Sequence, residues 1–263
     1  MIHRAGTLSK TRLVWVAVVA LALAGCGLLP DQIDVTRDWS AQRLYSEAKA
    51  NLNEGDYQTA IDYYEKLESR YPFGPLAQQA QLDIAYAYYK FDEPESALAA
   101  VDRFFRLYPQ HPNVDYGYYL RGLVNFNRGK GLVERYLPTD DSQRDPGAAL
   151  QSFNDFAELT RRFPDSKYAA DAAKRMQFLK NNLARYELHV ADYYMRRGAY
   201  VAAANRAKYV IENYPKTPAT PAALIVMVKA YRQLDLDGLA GDALRVLELN
   251  YPDHPELAAL AAR

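Results

Sequence analysis

Five times in this chain an aromatic residue stands directly before a proline, at Tyr71-Pro72, Tyr108-Pro109, Phe163-Pro164, Tyr214-Pro215 and Tyr251-Pro252. Twelve positions before each proline stands a small residue: Ala60, Ala97, Ser152, Ala203 and Ala240. A recurrence at fixed offset restricts the chain to an array of similar units, each burying its apolar face only against a neighbour. The residue types name the element. A small residue lets two helices approach closely, and a proline cannot continue the helix that precedes it. The expected fold is an all-α array of helical hairpins.

Within the first unit, residues 41–74, Ala48, Gly55, Tyr57, Ala60, Tyr64, Leu67 and Pro72 fall at the offsets of the tetratricopeptide consensus. Gly55 supplies the left-handed residue that ends a first helix, and Asp56 can begin the second. The second unit, 78–111, repeats the pattern with Ala85, Tyr88, Ala97, Val101, Phe104 and Pro109. There Asp92 replaces the turn glycine, and Pro94 lies just inside the next helix, where its missing donor is not needed. The fourth unit, 168–217, has Ala191, Tyr194, Gly198, Tyr200, Ala203, Ala207, Val210 and Pro215. The fifth, 221–254, has Val228, Tyr231, Asp235, Ala240, Leu244, Leu247 and Pro252. This predicts a solenoid of five tetratricopeptide-like repeats over residues 37–263.

The intervals between the marker prolines are 37, 55, 51 and 37 residues, so extra length enters twice. The third unit, 115–166, matches through Gly122 and Gly129, then through Ser152, Phe156, Leu159 and Pro164. Between them Lys130 to Pro146 is an insertion rich in turn residues, in which Leu132 to Leu137 suits a short helix. Such an insertion is either a surface loop or a binding element. The second anomaly lies between Pro164 and Gly198, a stretch without glycine or proline. Ala172, Met176, Leu179, Leu183, Tyr186, Val190 and Tyr194 recur at three- and four-residue steps, which predicts one inter-repeat helix of about 45 Å with Asn181-Asn182 as its one place to break.

Before the array, His3, Arg4, Lys10 and Arg12 precede an apolar run from Leu13 to Leu23 and then Leu23-Ala24-Gly25-Cys26. That order is a secretory signal, too short in its apolar part for a spanning helix of roughly 20 residues. The quartet resembles the bacterial lipobox, in which cleavage before an acylated cysteine follows. Residues 1–25 are then a removed signal peptide, and Cys26 carries an N-acyl group and an S-diacylglycerol as the sole covalent addition, with no other cofactor. Cys26 is the only cysteine, so no disulfide supports the fold. Residues 26–36 lack helical periodicity and read as a tether. By resemblance to the sorting of Gram-negative lipoproteins, Gly27 in place of aspartate directs the protein to the outer membrane.

With 32 basic and 32 acidic residues the chain is formally neutral at pH 7, without the basic stripe a nucleic-acid binder needs. His111 and His254 sit in turns, His189 is isolated on the long helix, and His3 leaves with the signal, so no zinc spacing arises. Neither a nucleophile elbow nor a phosphate loop is present, and Asp140-Asp141 reads as a solvated turn. The expectation is a binding protein, not an enzyme. Its groove is expected on the first helix of each unit, where the repeat positions hold Gln42, Tyr45 and Lys49, then Gln79, Asp83, Tyr86, Tyr89 and Lys90, then Tyr116 and Tyr119. Tyrosine suits extended peptides because each ring offers apolar area at little entropic cost, and the same rings also serve as repeat core. Asp83 and Lys90 are expected to set the register of such a peptide.

Further motifs extend the comparison. Arg70-Tyr71-Pro72-Phe73-Gly74-Pro75, Ala85-Tyr86-Ala87-Tyr88-Tyr89-Lys90, Asp102-Arg103-Phe104, His111-Pro112-Asn113, Asp115-Tyr116, Arg144-Asp145-Pro146, Lys174-Arg175, Ala203-Ala204-Asn205-Arg206 and Tyr231-Arg232-Gln233 stand in this order. Together they resemble the BamD family, lipoproteins of the outer-membrane β-barrel assembly machinery. The likeness covers nearly the whole chain after the signal, but Gly131 to Ser142 departs from the family pattern. It implies a periplasmic face of the outer membrane and C-terminal repeats that bind the POTRA domains of BamA, with the family's contact arginine falling on Arg206. It also implies N-terminal repeats associated with BamC and with the C-terminal signal of unfolded barrel proteins, and other Bam lipoproteins as further partners. A pilotin-like escort for secretin subunits and a peptidoglycan-associated scaffold use the same anchor and repeats, and stay open on the residues alone.

Overall fold

The computed structural model describes residues 34–129, 142 and 145–262. Cys26, most of the insertion and Arg144 lie outside the described residues. The chain divides into two compact units, Met1–Ser40 and Ala41–Arg263. In the first, the Asp34 carboxylate accepts from the Thr36 backbone N–H at 3.0 Å and its hydroxyl at 2.6 Å, an Asx-type turn.

The second unit consists of α1 (Ala41–Glu54), α2 (Tyr57–Arg70), α3 (Pro75–Lys90), α4 (Pro94–Leu107), α5 (Val114–Asn127), α6 (Gly147–Arg162), α7 (Ala169–Arg196), α8 (Tyr200–Asn213), α9 (Thr220–Gln233), α10 (Asp237–Asn250) and α11 (Leu257–Ala261). No strand occurs among the described residues. The hairpins are α1–α2, α3–α4, α5–α6, α7–α8 and α9–α10, and each second helix packs on the next first helix. First helices also touch one another, α1 on α3, α3 on α5 and α7 on α9, so they share one face. This is the five-hairpin solenoid that the repeat pattern predicts.

Each hairpin turns through one left-handed residue: Gly55 (φ 86°), Asp92 (66°), Gly129 (77°), Gly198 (72°) and Asp235 (56°). Glycine enters this region freely and aspartate tolerates it. In four of the turns the following N–H reaches back five residues, Asp56 to Asn51, Glu93 to Tyr88, Ala199 to Tyr194 and Leu236 to Tyr231, satisfying carbonyls the helix end leaves open. The other end of each hairpin is equally regular. Tyr71, Tyr108, Phe163, Tyr214 and Tyr251 cap the second helices with φ between −125° and −137°, each donating its N–H four residues back. Their prolines force that extended conformation and stop the helix.

Ala60, Ala97, Ser152 and Ala203 are fully buried and Ala240 nearly so. In the third hairpin the approach is close enough to exclude a side chain. The Ser152 hydroxyl donates to the Gly122 carbonyl at 2.9 Å, and a Cβ on Gly122 would lie 2.5 Å from the Phe156 ring.

Helix α7 is continuous through Asn181-Asn182 over 28 residues, about 42 Å long. Its N-terminal half packs Ala172 and Leu179 on Phe156 and Leu159 of α6, and its C-terminal half packs Ala184 and Ala191 on Ala203 and Ala207 of α8. The buried line runs through Ala172, Leu179, Leu183, Glu187 and Ala191 rather than through the expected Tyr186 and Val190, which are only partly buried. Each step of four residues turns the line by about 40°, which carries it from the side facing α6 to the side facing α8. A glutamate in that line needs a cation, and α8 supplies one in Arg206.

Candidate functional site

On the shared face of the first helices, Asp83 of α3 is a hub. Its carboxylate accepts from the Tyr45 hydroxyl at 2.8 Å, Lys49 Nζ at 3.2 Å, the Tyr64 hydroxyl at 3.3 Å and Gln79 Nε2 at 3.3 Å. Asp83 is only 6% exposed, so these donors replace water that a buried carboxylate needs. They tie α1, α2 and α3 together. Tyr45 and Tyr64 meet edge to face at 5.9 Å, and burial, reinforced by Asp83, pushes both hydroxyls well above the usual tyrosine value. Both remain neutral donors. Asp83 is thus taken up by the array itself, and the register-setting contact expected of it finds its acceptor positions already filled. Gln79 is likewise engaged, its Oε1 accepting from Asn113 Nδ2 at 3.1 Å.

Further along, Tyr86 and Tyr89 lie 6.3 Å apart, and the Tyr89 hydroxyl accepts from Asn127 Nδ2 of α5 at 2.7 Å. Tyr119 stacks on Tyr168 at 4.7 Å and donates its hydroxyl to Asp171 Oδ2 at 2.7 Å. Burial and that carboxylate push Tyr119 up to about 12. Against the opposing effect of burial, hydrogen bonds from Arg175 and Tyr119 hold the Asp171 carboxyl below its usual value. Tyr116 lies 5.4 Å from Tyr168 and is pushed up mainly by burial, then by Tyr86, Tyr168, Asp83 and Tyr119 around it. It is the point where the clusters meet. Lys90 stands apart from them, exposed, with Nζ 5.9 Å from the Tyr57 ring centre.

Tyr45 and Tyr119 therefore offer rings, not hydroxyl donors, to anything that docks, while Tyr64 is fully buried beneath them. The hydroxyls of Tyr86 and Tyr116 make no hydrogen bond to other described residues, and those two are the ones suited to a peptide backbone. The repeat positions alone did not reveal Tyr168, Asp171 and Asn127, which complete the face. The only sequence signal for Tyr168 and Asp171 is their Tyr-x-x-Asp spacing at the start of the long helix, and Asn127 has none.

At the other end, Arg206 of α8 donates Nη1 to Glu187 Oε2 of α7 at 3.0 Å, with 46% of its side chain exposed against 11% for Glu187. That hydrogen bond and the charge of Glu187 push the guanidinium further up. One edge of the fork is held and the rest faces solvent. A cavity of about 490 Å³ opens between α5, α6 and the middle of α7, walled by Phe126, Phe178, Leu179, Leu183 and Tyr186. It was not anticipated from sequence. Among the described residues no group of acidic, histidine or cysteine side chains could hold a metal, and no helix is long and apolar enough to cross a membrane.

Stacked hairpins that present a tyrosine face at one end and a half-held arginine at the other define a tetratricopeptide-type binding scaffold. Residues 37–246 match the family described as YfiO, outer membrane lipoprotein. Outer membrane protein assembly factor BamD of Neisseria meningitidis serogroup B is 50% identical over 242 residues, 91% of each chain. BamD of Vibrio cholerae is 41% identical over 234 residues, 89% of this chain and 96% of the relative. Among solved structures, the tetratricopeptide domain of P58(IPK) superposes with a TM-score of 0.41 at 15% identity, covering 97% of this chain and 59% of that one. The chain belongs to the BamD family of outer membrane protein assembly factors, a family of assembly proteins and not of enzymes.

Proposed function

We propose that this protein is the lipid-anchored scaffold of a β-barrel assembly complex, held by acylated Cys26 at the periplasmic face of the outer membrane. Its first three hairpins receive the C-terminal strand of unfolded outer-membrane proteins. Its C-terminal hairpins bind the POTRA domains of BamA through Arg206, BamC joins the N-terminal half, and other Bam lipoproteins complete the complex. The observation that carries this reading is the 50% identity to a BamD over 91% of the chain, joined to a tyrosine face on which Tyr86 and Tyr116 keep their hydroxyls uncommitted.

Photoreactive residues at Tyr86 and Tyr89 are expected to capture client C-termini, and Tyr86→Ala should weaken a C-terminal client peptide by about 1–3 kcal/mol in fluorescence anisotropy. Capture from the second-helix face with silence at these two positions sinks the groove assignment. Recovery of a secretin instead of a POTRA-bearing barrel in a pull-down from solubilised envelopes sinks the assembly reading.

For Arg206→Glu two effects are expected together. Association with POTRA domains falls, and stability falls by about 1–2 kcal/mol because the new carboxylate faces buried Glu187. Adding Glu187→Gln removes the repulsion, so stability should return while binding stays lost. Recovery of both in the double variant leaves Arg206 a purely internal partner.

A further inference from the structure

Among the described residues three buried side-chain atoms have no hydrogen-bond partner: Glu68 Oε1, Gln81 Oε1 and Asn125 Oδ1. Glu68 and Gln81 line one pocket of about 450 Å³, together with Glu65, Arg103, Leu107 and Tyr108. It sits between the C-terminal ends of α2 and α4 and the start of α3. Gln81 leaves α3 on the side opposite Gln79 and Asp83, since two residues turn a helix by about 200°. The pocket therefore opens away from the tyrosine face.

Its chemistry is one-sided. Both unmatched atoms are acceptors, and Gln81 is only 6% exposed, so the missing group is a donor. Charge is unbalanced in the same sense. Glu68 Oε2 pairs with Arg103 Nη2 at 3.1 Å, but Glu65 has only the Tyr88 hydroxyl, which donates to it at 2.6 Å. Two carboxylates thus share one cation. Burial pushes the Glu68 carboxyl up, and Arg103 offsets this only in part. At the rim Leu107 is 54% exposed, an apolar surface for a methylene stem.

We propose that this pocket is a second docking site, which receives a single arginine side chain from a partner polypeptide. The guanidinium donates to Glu68 Oε1 and Gln81 Oε1, its charge answers Glu65, and its stem lies along Leu107. A planar fork serves two acceptors on different side chains at once, which the compact ammonium of lysine does less well. The site is independent of the tyrosine face, and either can fail without the other.

The test uses N-acetyl-arginine methylamide and its neutral isostere N-acetyl-citrulline methylamide, titrated into the ¹⁵N-labelled protein. The arginine compound is expected to shift the Gln81 side-chain amide and Arg103 Nε–H resonances saturably, leaving Asn127 unmoved. The citrulline compound should bind at least tenfold more weakly. Glu65→Gln changes an exposed residue and spares the fold, and it should weaken the arginine compound several-fold. Equal response to both compounds, or an unchanged response in Glu65→Gln, overturns the proposal and leaves the two oxygens to water.

Discussion

Phe156→Ala is expected to lower the folding stability of the array by about 3–5 kcal/mol, read as a fall in the urea midpoint with little change in slope. Phe156 is fully buried where α5, α6 and α7 meet, packed with Tyr119, Leu159 and Leu179. Truncation empties a volume that two rigid helices cannot close. The same contact has a second handle. A Cβ on Gly122 would sit 2.5 Å from the Phe156 ring, so Gly122→Ala alone should cost about 1–3 kcal/mol. Combined with Phe156→Leu it should cost clearly less than the sum, because the two residues share one space. Additive losses in that pair would show that the third hairpin tolerates displacement of α5 from α6.

Cys26→Ala is expected to move the protein from the membrane pellet to the soluble periplasmic fraction almost completely. In the proposed anchor the affinity rests on acyl chains on the only cysteine of the chain, each buried methylene contributing about 0.8 kcal/mol. The helical unit begins at Ala41, so circular dichroism of the alanine variant should match the wild type. Sedimentation of the variant with membranes, or a mature N-terminal cysteine without lipid in mass spectrometry, would remove the anchor from the proposed function.

The hairpins were readable because their determinants are local. An aromatic-proline pair ends a helix through its own φ and a bond four residues back, and Gly55 or Asp92 turns the chain through one dihedral. Such signals need no partner from elsewhere. The face was readable only as a set of positions. Tyr119 and Asp171 are 52 residues apart in sequence, and their bond exists because α7 returns across α5. Asp83 occupies a groove offset, yet Tyr64 and Lys49 of the preceding hairpin surround it. Periodicity records which side of a helix a residue leaves from, not what the next hairpin brings against it. Glu187 shows the same limit: the stripe predicted an apolar residue nearby, and Arg206 on another helix makes the charge acceptable.

In a repeat array each unit is stabilised mainly by its neighbours, and fraying proceeds one hairpin at a time from the ends. Between the third and fourth hairpins no such step is available. Helix α7 packs its N-terminal half on the third hairpin and its C-terminal half within the fourth and has no internal cap, so melting one hairpin alone would require a new helix end in the middle of Ala169–Arg196, with its carbonyls and N–H groups left open. The two hairpins therefore open together. In hydrogen exchange the amides of α7 should form a single slow block, while those of α1 and α10 exchange earlier. Glu187, which holds Arg206, and Asp171, which holds Tyr119, stand on that one uninterrupted helix, so the two ends of the array meet in a single element.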